Sequence, residues 1–274
     1  MNFFIYSDGK RVTDKVFLSQ FREEEIGIFE SLRTYRGGIF RLEEHLDRLL
    51  ESAKTSGFSG RLNRAQLRRE LELALQAFLR DEPGLRQEDL FIRLTLWQDR
   101  IFVMPGVRVH PPELYRRGVA LKTSPVKRSI SNASFPEVKT SSYQNAVLAA
   151  LEPAGAETYE WLFLDQNGFV TEVRIGNLFM VKDGLLLTPP TIGILNGVTR
   201  RFVIKCALTL QIAVKEIPLT RHEIYNADEA FLTNTSWEIL PVRELDSRRI
   251  GGKIPGPVTL KLMRRFQQKV KEKT

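Results

Sequence analysis

A single cysteine, Cys206, stands in 274 residues, so no internal disulfide can form. It falls inside an apolar helical pattern, which makes it a core residue and not a nucleophile. A reducing, cytoplasmic setting is expected. No stretch approaches the ~20 apolar residues that a membrane-spanning helix needs. The opening residues, Met1-Asn-Phe-Phe-Ile-Tyr6, lack a basic stretch ahead of a long apolar run, so no signal peptide is expected. Internal repeats and low-complexity tracts are absent. So are helix-turn-helix, zinc-ligand and aromatic ribonucleoprotein patterns, which leaves no basis for a metal or nucleic-acid partner.

The charge that is present is basic, formally +8. Its clusters, Arg64, Arg68, Arg69 and Lys261, Arg264, Arg265, lie on the polar faces of amphipathic helices, where solvation explains them. An excess of positive charge also suits a dianionic cofactor and carboxylate substrates. Hydrophobic residues at 42% and charged residues at 27% fit an ordinary globular chain with a core large enough for two modest domains.

Local patterns predict the elements. A strand over residues 28–35 precedes a turn at Gly37-Gly38, and a helix over 41–56 carries Leu42, Leu46, Leu49, Leu50 and Ala53 as one stripe. Asn63 is the predicted N-cap of a second helix that ends at Pro83-Gly84. Residues 91–97 and 101–104 form a predicted hairpin. The stretch Pro105–Gly118, rich in proline and glycine, reads as the interdomain linker. Later hairpins are predicted at Gln166-Asn167-Gly168 and Asp183-Gly184, where positive φ is tolerated. A helix follows over 199–210. Thr220-x-x-Glu223 is a capping box, and a last amphipathic helix covers roughly 258–270. Hairpins dominate the second half, so the expected class is α+β. The expected domains are 1–105 and 119–274, joined by a linker at 106–118, with the second domain carrying Lys139.

Lys139 is the chemical starting point. It is followed in order by Glu172, by Ile194-Leu-Asn-Gly197-Val198-Thr199-Arg200, and by Phe231-Leu-Thr-Asn-Thr235-Ser236. An amine, a carboxylate and two turns rich in backbone N–H are what pyridoxal phosphate needs. The amine makes the Schiff base, the acid keeps the ring nitrogen protonated, and the turns hold the phosphate. With Phe29-Glu30-Ser-Leu-Arg33, Glu44-His45-Leu-Asp-Arg48-Leu49 and Ala227 to Val242, these segments resemble the class IV aminotransferases. Those are fold type IV pyridoxal-phosphate enzymes, a group that includes branched-chain and D-amino-acid aminotransferases and 4-amino-4-deoxychorismate lyase.

The resemblance implies two domains with the cofactor at their interface, a homodimer, and amino-acid and 2-oxo-acid substrates. It also implies roles. Lys139 is the cofactor lysine and proton shuttle, and Glu172 partners the pyridine nitrogen. Arg48, Val198, Thr199, Thr235 and Ser236 hold the phosphate, and Tyr143 meets the ring oxygen. The expected activity is amino transfer, with branched-chain substrates favoured. Asn234 resembles the lyase branch, which expels pyruvate through the same lysine, and a non-catalytic relative of the fold is the third reading. Arg174 departs from the family pattern, and the substrate carboxylate has candidate partners in Arg33, Arg93, Arg100, Arg108 and Arg174.

Overall fold

The structure, a computed structural model, describes residues 4–13, 27–58, 62–97, 100–127, 137–140 and 158–273. Contacts divide the chain into two units. The first comprises Met1–Val109, Val138–Ser142 and Val270–Thr274, and the second His110–Glu137 and Tyr143–Lys269.

In the first unit six strands form an antiparallel sheet in the order β2-β1-β6-β5-β3-β4. They are β1 (Ile5–Ser7), β2 (Lys10–Val12), β3 (Ile28–Tyr35), β4 (Gly38–Ile39), β5 (Leu90–Trp97) and β6 (Arg100–Val107). Two helices, α1 (Leu42–Thr55) and α2 (Arg64–Asp81), pack with the sheet. The alternate positions Ile28 and Leu32 of β3 join Leu46 and Leu49 of α1 and Leu67, Leu71 and Phe78 of α2 in one buried cluster. Each such side chain contributes roughly 1.5–3 kcal/mol by leaving water. Asn63 caps α2 as predicted, its side chain accepting the Gln66 N–H at 2.9 Å.

Among the described residues the second unit carries nine strands and the helices α3 (Pro112–Arg117), α4 (Val198–Thr209) and α5 (Arg221–Tyr225), together with α6 (Pro257–Lys273) up to Lys269. The strands are β7 (Val119–Thr123), β8 (Thr158–Leu164), β9 (Val170–Val173), β10 (Asn177–Lys182), β11 (Leu185–Thr188), β12 (Val214–Glu216), β13 (Glu229–Asn234), β14 (Glu238–Leu245) and β15 (Arg248–Arg249). Strands β14, β7 and β8 run parallel side by side, while the β8–β9, β10–β11 and β13–β14 pairs are antiparallel. The turn at Asp183-Gly184 places both residues at positive φ, 50° and 76°, as a tight hairpin requires. The capping box is present: Thr220 Oγ1 accepts from Glu223 N, and Glu223 Oε2 accepts from Thr220 N.

Two features differ from the expected division. The stretch read as a linker holds the end of β6 and all of α3, because Pro105 sits in a strand and Pro112 opens a helix, both allowed positions for proline. Lys139 groups with the first unit, not the second. Phe29 N donates to Lys139 O at 2.9 Å and Thr140 bridges Ile28, so a long-range backbone pairing draws the lysine to β3.

Candidate active site

Glu30 occupies an inward position of β3 between Ile28 and Leu32, where a charge is costly unless it is paired. Its partners come from α1. His45 and Arg48 lie three residues apart on the same helix face. Arg48 donates through Nε at 2.6 Å and Nη2 at 2.7 Å, and His45 Nδ1 is 2.8 Å away. Burial works to raise the Glu30 pKa, but the Arg48 charge and the hydrogen bonds from His45 and Arg48 outweigh it and hold the carboxyl well below its usual range. Burial lowers His45, aided by the Arg48 and Lys139 charges and opposed by Glu30. A neutral His45 beside an acceptor-only carboxylate must carry its proton on Nδ1. The Nε–Nη2 edge of Arg48 is thus committed to Glu30, where a phosphate contact was expected.

Lys139 is half-buried, with Nζ 4.7 Å from the centre of the Phe29 ring. Arg93, across the sheet on β5, lies over the same ring at 3.8 Å. Arg33 and Arg108 cover the rings of Tyr35 and Phe91.

In the second unit Glu172 ends the hairpin on β9 and is 4% exposed. Asn177 Nδ2 donates to its Oε2 at 3.0 Å, and Leu195 N donates to its Oε1 at 3.2 Å. Asn177 also donates to Leu195 O at 2.8 Å, so one amide locks the acid and the loop before α4 together. Gly197 then caps α4 without any side-chain hydrogen bond. A Cβ on Gly197 would fall 2.2 Å from Asn177 Oδ1, so any other residue must displace that amide. The first N–H groups of a helix have no intrahelical partner, and here no capping side chain takes them. Val198 and Thr199, both buried, stand at that end.

Thr235 and Ser236 follow β13. Asn234 Oδ1 accepts from Ser236 N at 2.9 Å and from Trp237 N at 2.6 Å, and its amide donates to Ile175 O at 2.9 Å. The Ser236 hydroxyl lies 2.7 Å from His110 Nε2. Asn234, the residue that pointed to the lyase branch, therefore has a turn-forming task. Arg174, which departs from the family pattern, pairs with Glu160 at 3.2 Å. Burial raises the Glu160 pKa despite that arginine. Tyr143 lies outside the described residues.

In the second unit a buried carboxylate fixed at both oxygens and a glycine-opened helix start suit a pyridine nitrogen and a phosphate; in the first unit a lysine on an aromatic wall suits an aldehyde. Glu30 and His45, which stand in the sequence only as parts of motifs, and Asn177 take tasks that the fold alone assigns. The available signal was a charged residue among the alternating apolar positions of β3.

Comparison with known proteins agrees with this chemistry. The amino-transferase class IV family matches residues 27–245. A Methanocaldococcus jannaschii protein, provisionally named a branched-chain-amino-acid aminotransferase, is 37% identical over 96% of this chain and 95% of its own length. The branched-chain-amino-acid aminotransferase of Pseudomonas aeruginosa is 32% identical over 91% of this chain and 85% of its own. A solved T.th. branched-chain amino acid aminotransferase, complexed with N-(5'-phosphopyridoxyl)-L-glutamate, superposes with a TM-score of 0.83 at 28% identity, covering 99% of this chain and 95% of that one. With its α+β sheets, its paired acid and lysine motifs and these relatives, the chain belongs to the class IV aminotransferase family and is a pyridoxal-phosphate-dependent aminotransferase of fold type IV.

Proposed function

We propose that this aminotransferase exchanges the amino group of branched-chain amino acids with 2-oxo acids, using Lys139 as the amine that takes the cofactor and moves the proton. Bound pyridoxal phosphate supplies an electron sink for negative charge at the substrate Cα. Lys139 Nζ removes the proton from that carbon, and its place against Phe29 limits how far the ammonium can wander. Glu172 is the acid for the ring nitrogen, its plane set by Asn177 and Leu195. The N–H groups of Val198 and Thr199 take the phosphate. Arg48, paired with Glu30, is assigned to the phosphate through its positive charge. Thr235 and the Ser236 hydroxyl complete the anion's donors, and Tyr143 is assigned to the ring oxygen. Arg93 shares the Phe29 ring with Lys139, which makes it the arginine we assign to the substrate carboxylate.

The observation that carries the residue roles is the buried Glu172, held at both oxygens beside a helix that Gly197 opens. The branched-chain preference is supported by the names of relatives at 32–37% identity. A homodimer in a reducing cytoplasm completes the reading; the free thiol of Cys206 fits the reducing setting. The test is reconstitution with cofactor followed by a spectral screen of leucine, isoleucine, valine and their D-enantiomers against 2-oxoglutarate, with aminodeoxychorismate in the same panel. Turnover of none of the branched-chain donors, or pyruvate release without an acceptor, would overturn the assignment.

A further inference from the structure

In the second unit a cavity of about 960 Å³ opens where three parallel strands finish together. Thr123 at the end of β7, Leu164 at the end of β8 and Asp246 just past β14 form its floor. The crevice outside the carboxyl ends of parallel strands is a favoured place for ligands, and this volume is at the upper end of small-molecule sites. Its residues are none of those assigned to the cofactor.

The rim is basic. Lys122, Lys127, Arg221 and Arg248 line the cavity with His222, against one carboxylate, Asp246. Four cations less one anion leave +3 of the chain's +8 on this single crevice. The carboxylate is already engaged. Asp246 Oδ1 accepts from Thr123 N at 2.6 Å, and Oδ2 accepts from the Thr123 hydroxyl at 2.6 Å and the Tyr225 hydroxyl at 2.7 Å. A carboxylate has about four acceptor sites, so one remains on Oδ1 for a hydroxyl or amine of a ligand. Aromatic walls complete the site. Lys122 Nζ lies 5.4 Å from the Trp161 ring centre, and the Arg248 guanidinium lies 4.8 Å from that of Tyr225. The cations thus lie over the rings; Trp161 is buried, and the half-buried Tyr225 is the ring that a ligand can reach.

We propose that this crevice binds a nucleoside polyphosphate: the phosphates meet the lysine and arginine rim, the base lies against the aromatic wall, and a sugar hydroxyl or ring amine reaches Asp246. Phosphate charge is what several exposed cations around a concave surface attract best. The volume exceeds what a bare phosphate chain fills.

The test uses the protein saturated with pyridoxal phosphate, so that the cofactor's own phosphate place is taken. Calorimetric titration with ATP, inorganic triphosphate and adenosine separates the charge from the ring. ATP is expected to bind with one site per chain, triphosphate at least fivefold more weakly, and adenosine weakest. The double variant Lys127→Glu/Arg221→Glu, both sites exposed, is expected to weaken ATP at least tenfold while keeping its Tm and its rate with leucine. Arg248→Glu is expected to do the same from the other wall. Absence of ATP binding at millimolar concentration, or binding unchanged in both variants, overturns the proposal. Triphosphate as tight as ATP overturns the part played by the aromatic wall.

Discussion

Gly197→Ala tests the junction between the acid and the helix start. The backbone there is φ −60°, ψ 134°, which any residue adopts, so the cost is not conformational. The new methyl would lie 2.2 Å from Asn177 Oδ1 and 3.4 Å from its Cγ, so the amide must move. Moving it breaks the bonds to Glu172 Oε2 and Leu195 O. One is charge-assisted, worth roughly 1.5–3 kcal/mol, and the other is neutral, worth roughly 0.5–1.5 kcal/mol. A loss of about 2–4.5 kcal/mol in stability is expected from urea unfolding. Cofactor affinity should fall at least tenfold by absorbance titration, since ~1.4 kcal/mol of acid misplacement suffices. The decisive measurement is the double-mutant cycle. In an Asn177→Ala background the offending atoms are gone and Arg200 Cβ, 3.3 Å away, is the nearest remaining neighbour, so Gly197→Ala should then cost under about 0.5 kcal/mol. Additive costs would falsify the contact and, with it, the account of how Glu172 is held.

Lys139→Ala should abolish turnover and leave the fold intact, because its carbonyl, not its side chain, is what Phe29 N binds. Borohydride reduction and peptide mass mapping should place the cofactor label on residue 139, and a label elsewhere contradicts the role. The Glu30 cluster predicts acid sensitivity. Folded His45 resists a proton that the unfolded chain accepts, so stability should decline as pH falls below about 6.5, the ordinary histidine value. Folded Glu30 likewise keeps its charge, so a second decline should begin near pH 4, as the unfolded carboxyl protonates. Urea melts of His45→Gln across about pH 3–7 should lose the first decline and keep the second; an identical pH profile contradicts the buried, neutral histidine. Asn63→Ala should destabilise α2 by about 1 kcal/mol with no change in cofactor affinity, read by chemical denaturation.

Much of this molecule is legible along the chain because the causes are local. The apolar stripe of α1, the Asn63 cap, the Thr220–Glu223 box and the Asp183-Gly184 turn each depend on residues within about one or two turns of each other, and each stands where the spacing predicts. The order Lys139, Glu172, Gly197, Thr235 is likewise a property of sequence and carries the family. Proline misled where it did not break structure: Pro105 lies within β6 and Pro112 starts a helix.

Other features needed the fold, since they join residues whose separation no local rule spans. Glu30 meets His45 and Arg48 across 15 and 18 positions, and Leu195 reaches Glu172 across 23. Asp246 closes on Thr123 across 123. Local periodicity determines which face a side chain takes; sheet register and helix docking determine which distant face it meets. For that reason the amino acids alone named the cofactor, whereas the partners that fix Glu172 and engage Arg48 emerged only from packing.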